Sequence, residues 1–216
     1  SSDLTACLLL AAPRRLVEGE RLIRSGKWDG WAPTFMMGHR ISGKRLGIIG
    51  MGRIGKAVAQ RAHFGFGMEI GCLNRSPVAD GAGVGATQYD SVAALCAASD
   101  FVSLHCAATP DTFEILNEEA LAAMSADAYV INTARGDVVD ETALVAALES
   151  GAIAGAGLDV FQGEPAVNPA ILAAPNTVLL PHLGSATRET RVAMGLKVVA
   201  NARAFAAGDP LPDPVG

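Results

Sequence analysis

The stretch KRLGIIGMGRIGKAVAQRA, residues 44–62, decides the fold. RLGIIG is a short apolar run of the kind that forms a strand buried on both faces, and RIGKAVAQRA after it reads as a helix. Between them Gly50, Gly52 and Gly55 stand in G-x-G-x-x-G spacing. Glycines so placed permit a tight turn, a close approach of backbone to a ligand, and close helix-to-sheet packing.

The same alternation continues outward to the end of the chain. MEIGCLN is followed by SVAALCAA, FVSLHC by NEEALAAM, AYVINT by ETALVAALES, AGAGLDV by NPAILAA, and TVLLPH by a long final helix. Six strand–helix units in succession predict an α/β fold, a doubly wound parallel sheet of the Rossmann type with flanking helices. Asp140 is the expected N-cap of ETALVAALES and Gly151 its stop. Upstream, residues 3–25 read as one helix or two, with Pro13 as the break. A loop carrying both tryptophans, SGKWDGWAPTFMMGHRISGK, leads into the first strand. In the last helix Val192, Leu196, Val199 and Ala202 share a face and are expected to pack against something. The division expected is a nucleotide-binding domain over 1–185, including the first helix and the Trp loop, and a C-terminal helix and tail over 186–216.

Composition narrows the classes of function. At 216 residues, 50% hydrophobic, the chain is long enough for a packed core. Its net charge of −5, with both signs interspersed, argues against a nucleic-acid or anionic-membrane partner. No apolar run approaches the roughly 20 residues of a membrane span, and the opening residues lack the order of a signal peptide, so the expected location is cytoplasmic. Cys7, Cys72, Cys96 and Cys106 are scattered without a CxxC, which argues against a bound metal or a disulfide framework and for reduced, mostly packed thiols.

A glycine-rich turn alone is a weak signal, since such turns also serve other nucleotide-like ligands or merely pack. At the first strand of a six-unit alternation it reads as a dinucleotide site, with the pyrophosphate at the helix N-terminus. An NAD site usually ends its next strand with a carboxylate for the ribose hydroxyls. Here that strand ends CLNRSP: Leu73 and Asn74 take the expected place, and Arg75 and Ser76 suit a 2′-phosphate. NADP(H) is therefore preferred, with NAD(H) possible if Arg75 is only a solvated loop charge.

In open α/β sheets, ligands bind beyond the carboxyl ends of the strands. Arg135 in NTARGD, Glu164 in GLDVFQGEP and His182 in LLPHLGSAT follow three successive strands, whose tips would converge on one crevice. A guanidinium matches a carboxylate bidentately and polarises an adjacent carbonyl. An imidazole beside that carbonyl supplies a proton, and a neighbouring carboxylate favours its charged form. Taken singly, each residue also has a plainer reading: a cofactor-phosphate contact, a helix cap and a bond to a backbone carbonyl. Asp159 is either a carboxylate at the nicotinamide end or the cap of a turn. His105 sits at a strand end near the cofactor path, whereas His39 and His63 show no convergent partners.

Taken together, GMGRIG, NTARGDVVDETAL, GAGLDVFQGEP and LLPHLGSAT closely resemble the D-isomer-specific 2-hydroxyacid dehydrogenases. The resemblance implies that Arg135 binds the substrate carboxylate and carbonyl, that Glu164 pairs with His182, and that His182 is the proton donor. It also implies cofactor contacts from Gly50, Met51, Gly52, Arg53, Ile54 and Gly55 at the pyrophosphate and from Asn74, Arg75 and Ser76 at the ribose. Further contacts would come from His105, Cys106 and Thr109 along the cofactor, and from Thr133, Ala134, Asp159 and Gly184 near the nicotinamide. Ala107 departs from the proline frequent in that loop. GKWDGWAPTFMMG and the NRS strand end resemble the glyoxylate/hydroxypyruvate reductase branch. There, Trp28 or Trp31 would reach a partner subunit's site or anchor a homodimer interface. Family members begin with a substrate domain of about 100 residues. The chain is thus expected to correspond to the nucleotide-binding part, its final helix packing on that domain. The function implied is reduction of a small 2-oxo acid; a catalytically inactive nucleotide-binding fragment and a nucleotide-sensing corepressor-like module are the alternatives.

Overall fold

The structure, a computed structural model, describes residues 1–78 and 82–214. Two helices open the chain, α1 (Ser2–Ala11) and α2 (Leu16–Arg24), separated at Pro13 as the missing N–H there requires. Then follow β1 (Arg45–Ile49), α3 (Arg53–Phe66), β2 (Glu69–Leu73), β3 (Thr87–Gln88), α4 (Val92–Ala97) and β4 (Phe101–Leu104). The chain continues through α5 (Glu118–Ala122), β5 (Tyr129–Asn132), α6 (Glu141–Ser150), β6 (Gly155–Leu158), α7 (Pro169–Ala173), β7 (Thr177–Leu179) and α8 (Arg188–Ala207). Short 3-10 turns occupy Pro110–Thr112 and Gly136–Val138.

The chain divides into two compact units, Ser1–His182 and Leu183–Gly216. In the first, seven parallel strands lie in the order β3-β2-β1-β4-β5-β6-β7. The order reverses between β1 and β4, and such a switch point opens a crevice at the carboxyl ends of the strands. Sequence periodicity accounts for six of these strands. The seventh, β3, is a two-residue exposed edge strand paired Gly71 to Thr87 and Cys72 to Gln88, too short and too polar to announce itself.

Strands β1, β4, β5 and β6 are nearly or wholly buried, so both faces must be covered. One apolar cluster joins Leu8 and Leu9 of α1 and Val58 and Ala62 of α3 to Ile48 and Ile70 of the sheet. The other joins Leu95, Leu121, Leu144 and Ile171, from α4 to α7, to Val102, Val130 and Ala156. Each fully buried aliphatic side chain of this kind contributes about 1.5–3 kcal/mol. Polar caps set the helix starts: Ser91, Asn117 and Asp140 accept the amides of Ala94, Ala120 and Ala143, and Gly151 ends α6 at φ +72.

In the second unit, Thr187 caps α8. The expected stripe of Val192, Leu196 and Val199 is present but exposed, and Met194, Val198 and Phe205 form a second exposed stripe. No residue of α8 is buried within this chain. No helix among the described residues is long and apolar enough to cross a membrane.

Candidate active site

The glycine-rich turn joins β1 to α3 at the switch point. Gly50 has φ +96, and a Cβ there would stand 2.6 Å from the Cys106 nitrogen and 2.7 Å from the His105 carbonyl carbon. A Cβ on Gly55 would press on the Gly50 carbonyl oxygen. These two glycines let β1, α3 and the end of β4 meet. Gly52 differs: a Cβ there would point into open space. It is the N-cap of α3 and brings no side-chain cap, so the first amides of the helix, including those of exposed Arg53 and Ile54, are left for a ligand. Open space above Gly52 and a 14-residue helix behind it fit a pyrophosphate. Those residues would hold the phosphates of a dinucleotide.

Asn74 does something the sequence did not suggest. Its Oδ1 accepts the Met51 amide at 3.2 Å and its Nδ2 donates to the Ser76 carbonyl at 2.9 Å, so it braces the glycine turn against the end of β2. Arg75 and Ser76 are exposed beside it, and the Arg75 guanidinium makes no hydrogen bond or ion pair with a described residue.

At the end of β4, the His105 amide donates to Ile49 and its Nε2 lies 2.9 Å from Ser103 Oγ. Burial pushes the His105 imidazole down to about 4, so it is neutral at pH 7. Burial also pushes the Cys106 thiol up. Thr109 caps the 3-10 turn with Thr112, a local role that leaves it exposed.

Beyond β5, fully buried Asn132 shapes the turn: its Oδ1 accepts the Ala134 amide at 3.0 Å and its Nδ2 donates to the Arg135 carbonyl at 2.8 Å. Thr133 is buried with its hydroxyl 2.9 Å from that of Thr5 in α1. The Arg135 side chain is exposed, with Nη1 donating to the Ala134 carbonyl at 2.6 Å. Asp159, at the end of β6, is wholly buried; its amide donates to Asn132 and its carbonyl accepts the His182 amide at 2.9 Å.

His182 follows β7 in a left-handed backbone conformation, φ +55, which a non-glycine residue adopts only where its surroundings impose it. Amide bonds to the Asp159 and Leu180 carbonyls hold it there. Its Nδ1 lies 2.7 Å from Glu164 Oε2, and Glu164 Oε1 accepts the Phe161 amide at 2.8 Å. Burial alone would raise the Glu164 carboxyl. Bonds from His182 and Phe161, with the charges of His182 and Arg135, outweigh it and hold the group below its ordinary value. Glu164 is therefore an ionised acceptor at neutral pH, close enough to Arg135 to feel its charge. The remaining site candidate, Gly184, belongs to the second unit.

The other histidines lie elsewhere. His63 Nδ1 faces the Met68 carbonyl at 3.0 Å. His39, for which the sequence showed no partners, has two: Tyr129 Oη at 3.0 Å and Asp127 at 3.8 Å. They meet at the amino-terminal end of the sheet, beside a cleft of about 830 Å³ bordered by Arg15, Tyr129 and Asn176. Arg135, Glu164 and His182 are at the opposite end, where α/β sheets bind ligands.

Comparison with known proteins places the chain in a family. Residues 6–184 match the family described as D-isomer specific 2-hydroxyacid dehydrogenase, NAD binding domain. The chain is 45% identical over 213 residues to the glyoxylate reductase of Thermococcus litoralis, covering 97% of this chain and 64% of that one. It is 43% identical to the glycerate dehydrogenase of Hyphomicrobium methylovorum, over 88% of this chain and 60% of that one. It superposes with a TM-score of 0.91 and 38% identity on the NADPH-dependent glyoxylate/hydroxypyruvate reductase of Sinorhizobium meliloti, solved with NADP and malonate. That superposition covers 100% of this chain and 66% of the other. The chain spans less than two thirds of the length of these curated relatives. It belongs to the D-isomer-specific 2-hydroxyacid dehydrogenase family, as its NAD-binding domain.

Proposed function

We propose that this chain is the nucleotide-binding and proton-delivering part of a reductase that converts glyoxylate or hydroxypyruvate to the D-2-hydroxy acid with NAD(P)H. The observation that carries this reading is the 2.7 Å Glu164–His182 pair, beyond β6 and β7, the two strands that follow in the sheet after β5, which presents Arg135. The names of the relatives, glyoxylate reductase and glycerate dehydrogenase, support it.

On this reading the reduced nicotinamide supplies the hydride. The Arg135 guanidinium takes the substrate carboxylate and draws electron density toward the carbonyl oxygen. Glu164 occupies the Nδ1 side of His182, which leaves Nε2 to carry the proton that goes to that oxygen as the carbonyl π bond breaks. The ionised Glu164 offsets the imidazolium charge before transfer and orients the ring throughout.

We assign the preference for NADP(H) to Arg75, supported by its lack of a partner among the described residues and by the absence of a carboxylate where β2 ends. The reading includes a cytoplasmic homodimer, supported by Trp28 and Trp31, which are 51% and 77% exposed. The exposed stripes of α8 would serve the part of the relatives that this chain does not span. The test is oxidation of NADPH and NADH with hydroxypyruvate or glyoxylate, followed by absorbance. His182→Ala is expected to cut turnover by orders of magnitude while sparing cofactor affinity. A variant with near-normal turnover removes His182 as the acid.

A further inference from the structure

We propose that Glu141 is a positioning residue for the Glu164–His182 pair: its buried carboxylate accepts the Gln162 amide and so fixes the loop from which Glu164 reaches His182. The inference deepens the reading of His182 as proton donor and rests on it.

Glu141 is the first residue of α6 and only 5% exposed. A carboxylate in the first turn of a helix is favoured by the dipole, but an exposed one serves equally well. Burying it costs desolvation and persists only against a strong partner. Asp140 already caps the helix, so Glu141 is not needed for that. Its Oε1 instead leaves the helix and accepts the main-chain amide of Gln162 at 2.7 Å, a charge-assisted bond. The Gln162 side chain is held as well, Nε2 donating to the Val139 carbonyl at 3.0 Å and to Glu114 at 3.3 Å.

The next residue back, Phe161, donates its amide to Glu164, which holds His182. Against the same peptide stands Gly136. A Cβ there would collide with the carbonyl of Phe161 and the nitrogen of Gln162. The loop carrying Arg135 therefore lies backbone-to-backbone on the loop carrying Glu164, and Glu141 holds that second loop to α6. The distance between guanidinium and acid–base pair is set by a helix rather than by two free loops. A misplacement of about 1 Å in such a constellation can cost on the order of 100-fold in rate.

Glu141→Ala removes the acceptor, whereas Glu141→Gln keeps an oxygen in its place. Two readouts apply: the downfield proton resonance of the His182 Nδ1–H, taken without substrate, and kcat and KM with hydroxypyruvate. The alanine variant is expected to lose or broaden the resonance and lower kcat at least tenfold with KM for NADPH unchanged; the glutamine variant restores both. An alanine variant with a wild-type resonance, or a glutamine variant as impaired as alanine, overturns the proposal. Should the unaltered protein turn over no 2-oxo acid, the functional reading fails and the resonance alone decides the role of Glu141. If the alanine variant does not fold, Gly136→Ala presses on the same peptide. A resonance unchanged in that folded variant would overturn the proposal equally.

Discussion

Gly50→Ala and Gly52→Ala separate packing from binding within one turn. At Gly50 the added methyl meets backbone, 2.6 Å from the Cys106 nitrogen and 2.9 Å from its Cα, and no side-chain rotation relieves that. The φ of +96 adds strain of about 1–2 kcal/mol for a residue with a Cβ. Forcing a methyl into a filled space adds about 1–3 kcal/mol. The sum, about 2–5 kcal/mol, is a large share of the 5–15 kcal/mol that holds a domain folded. At about 2–4 °C per kcal/mol for a chain of this size, the melting temperature should drop by roughly 4–20 °C. At Gly52 nothing stands within 4 Å, and the cost is that of alanine as N-cap, below about 1 kcal/mol. Its methyl instead occupies the approach of a pyrophosphate to the helix amides. Losing one charge-assisted bond of about 1.5–3 kcal/mol weakens binding roughly 10- to 100-fold. Thermal melting and titration of NADPH by fluorescence read the two effects. A Gly52→Ala variant that melts as low as Gly50→Ala, or that binds NADPH as tightly as the parent, refutes the assignment of the open side of the turn to the cofactor.

Three further outcomes follow from charged groups. Arg75→Ala should weaken NADPH binding far more than NADH binding; equal losses would end the 2′-phosphate assignment. His105 stays neutral in the fold down to about 4, whereas in the unfolded chain it takes a proton below about 6.5. The unfolded state then binds more protons across that window, so up to about 3 kcal/mol of stability is lost as pH falls from 6.5 to 4. Urea melts of His105→Leu across that range should show a flatter pH dependence than the parent, and parallel curves would count against it. The bond from Arg45 holds the Asp100 carboxyl below its ordinary value, joining the starts of β1 and β4. Its stabilisation is present above the ordinary carboxylate range and lost as pH falls through the lowered value. Asp100→Asn should cost about 1 kcal/mol at pH 7 and nothing in acid, a contrast that denaturant melts at both pH values will test.

Local sequence carried the architecture because its signals are local. A buried parallel strand is an apolar run, a helix has a period and a cap, and a glycine in a tight turn is irreplaceable wherever it falls. Six strands, the break at Pro13, the Asp140 and Gly151 boundaries and the glycine turn are all of this kind. The three candidate residues were legible for the same reason, each being a polar side chain just past an apolar run.

Other features are set by neighbours distant along the chain, and no spacing encodes them. β3 exists only because the edge of β2 offers bonds to Thr87 and Gln88. Asn74 looked like a ribose contact, yet its amide braces the turn of another strand. His39 acquires Tyr129 from 90 residues away. Asn132 and Glu141 lie at a strand end and a helix start, and burial makes both struts under the candidate site. The left-handed backbone at His182 is held by carbonyls of Leu180 and Asp159, and Gly136 is essential only because the peptide of Phe161 and Gln162 lies against it. Sequence alone thus determined the doubly wound sheet and the nucleotide turn, and singled out Arg135, Glu164 and His182 as candidates. Tertiary structure decided their mutual distances and which buried groups maintain them, because a hydrogen bond between residues far apart in the chain depends on how the strands stack and leaves no periodic trace.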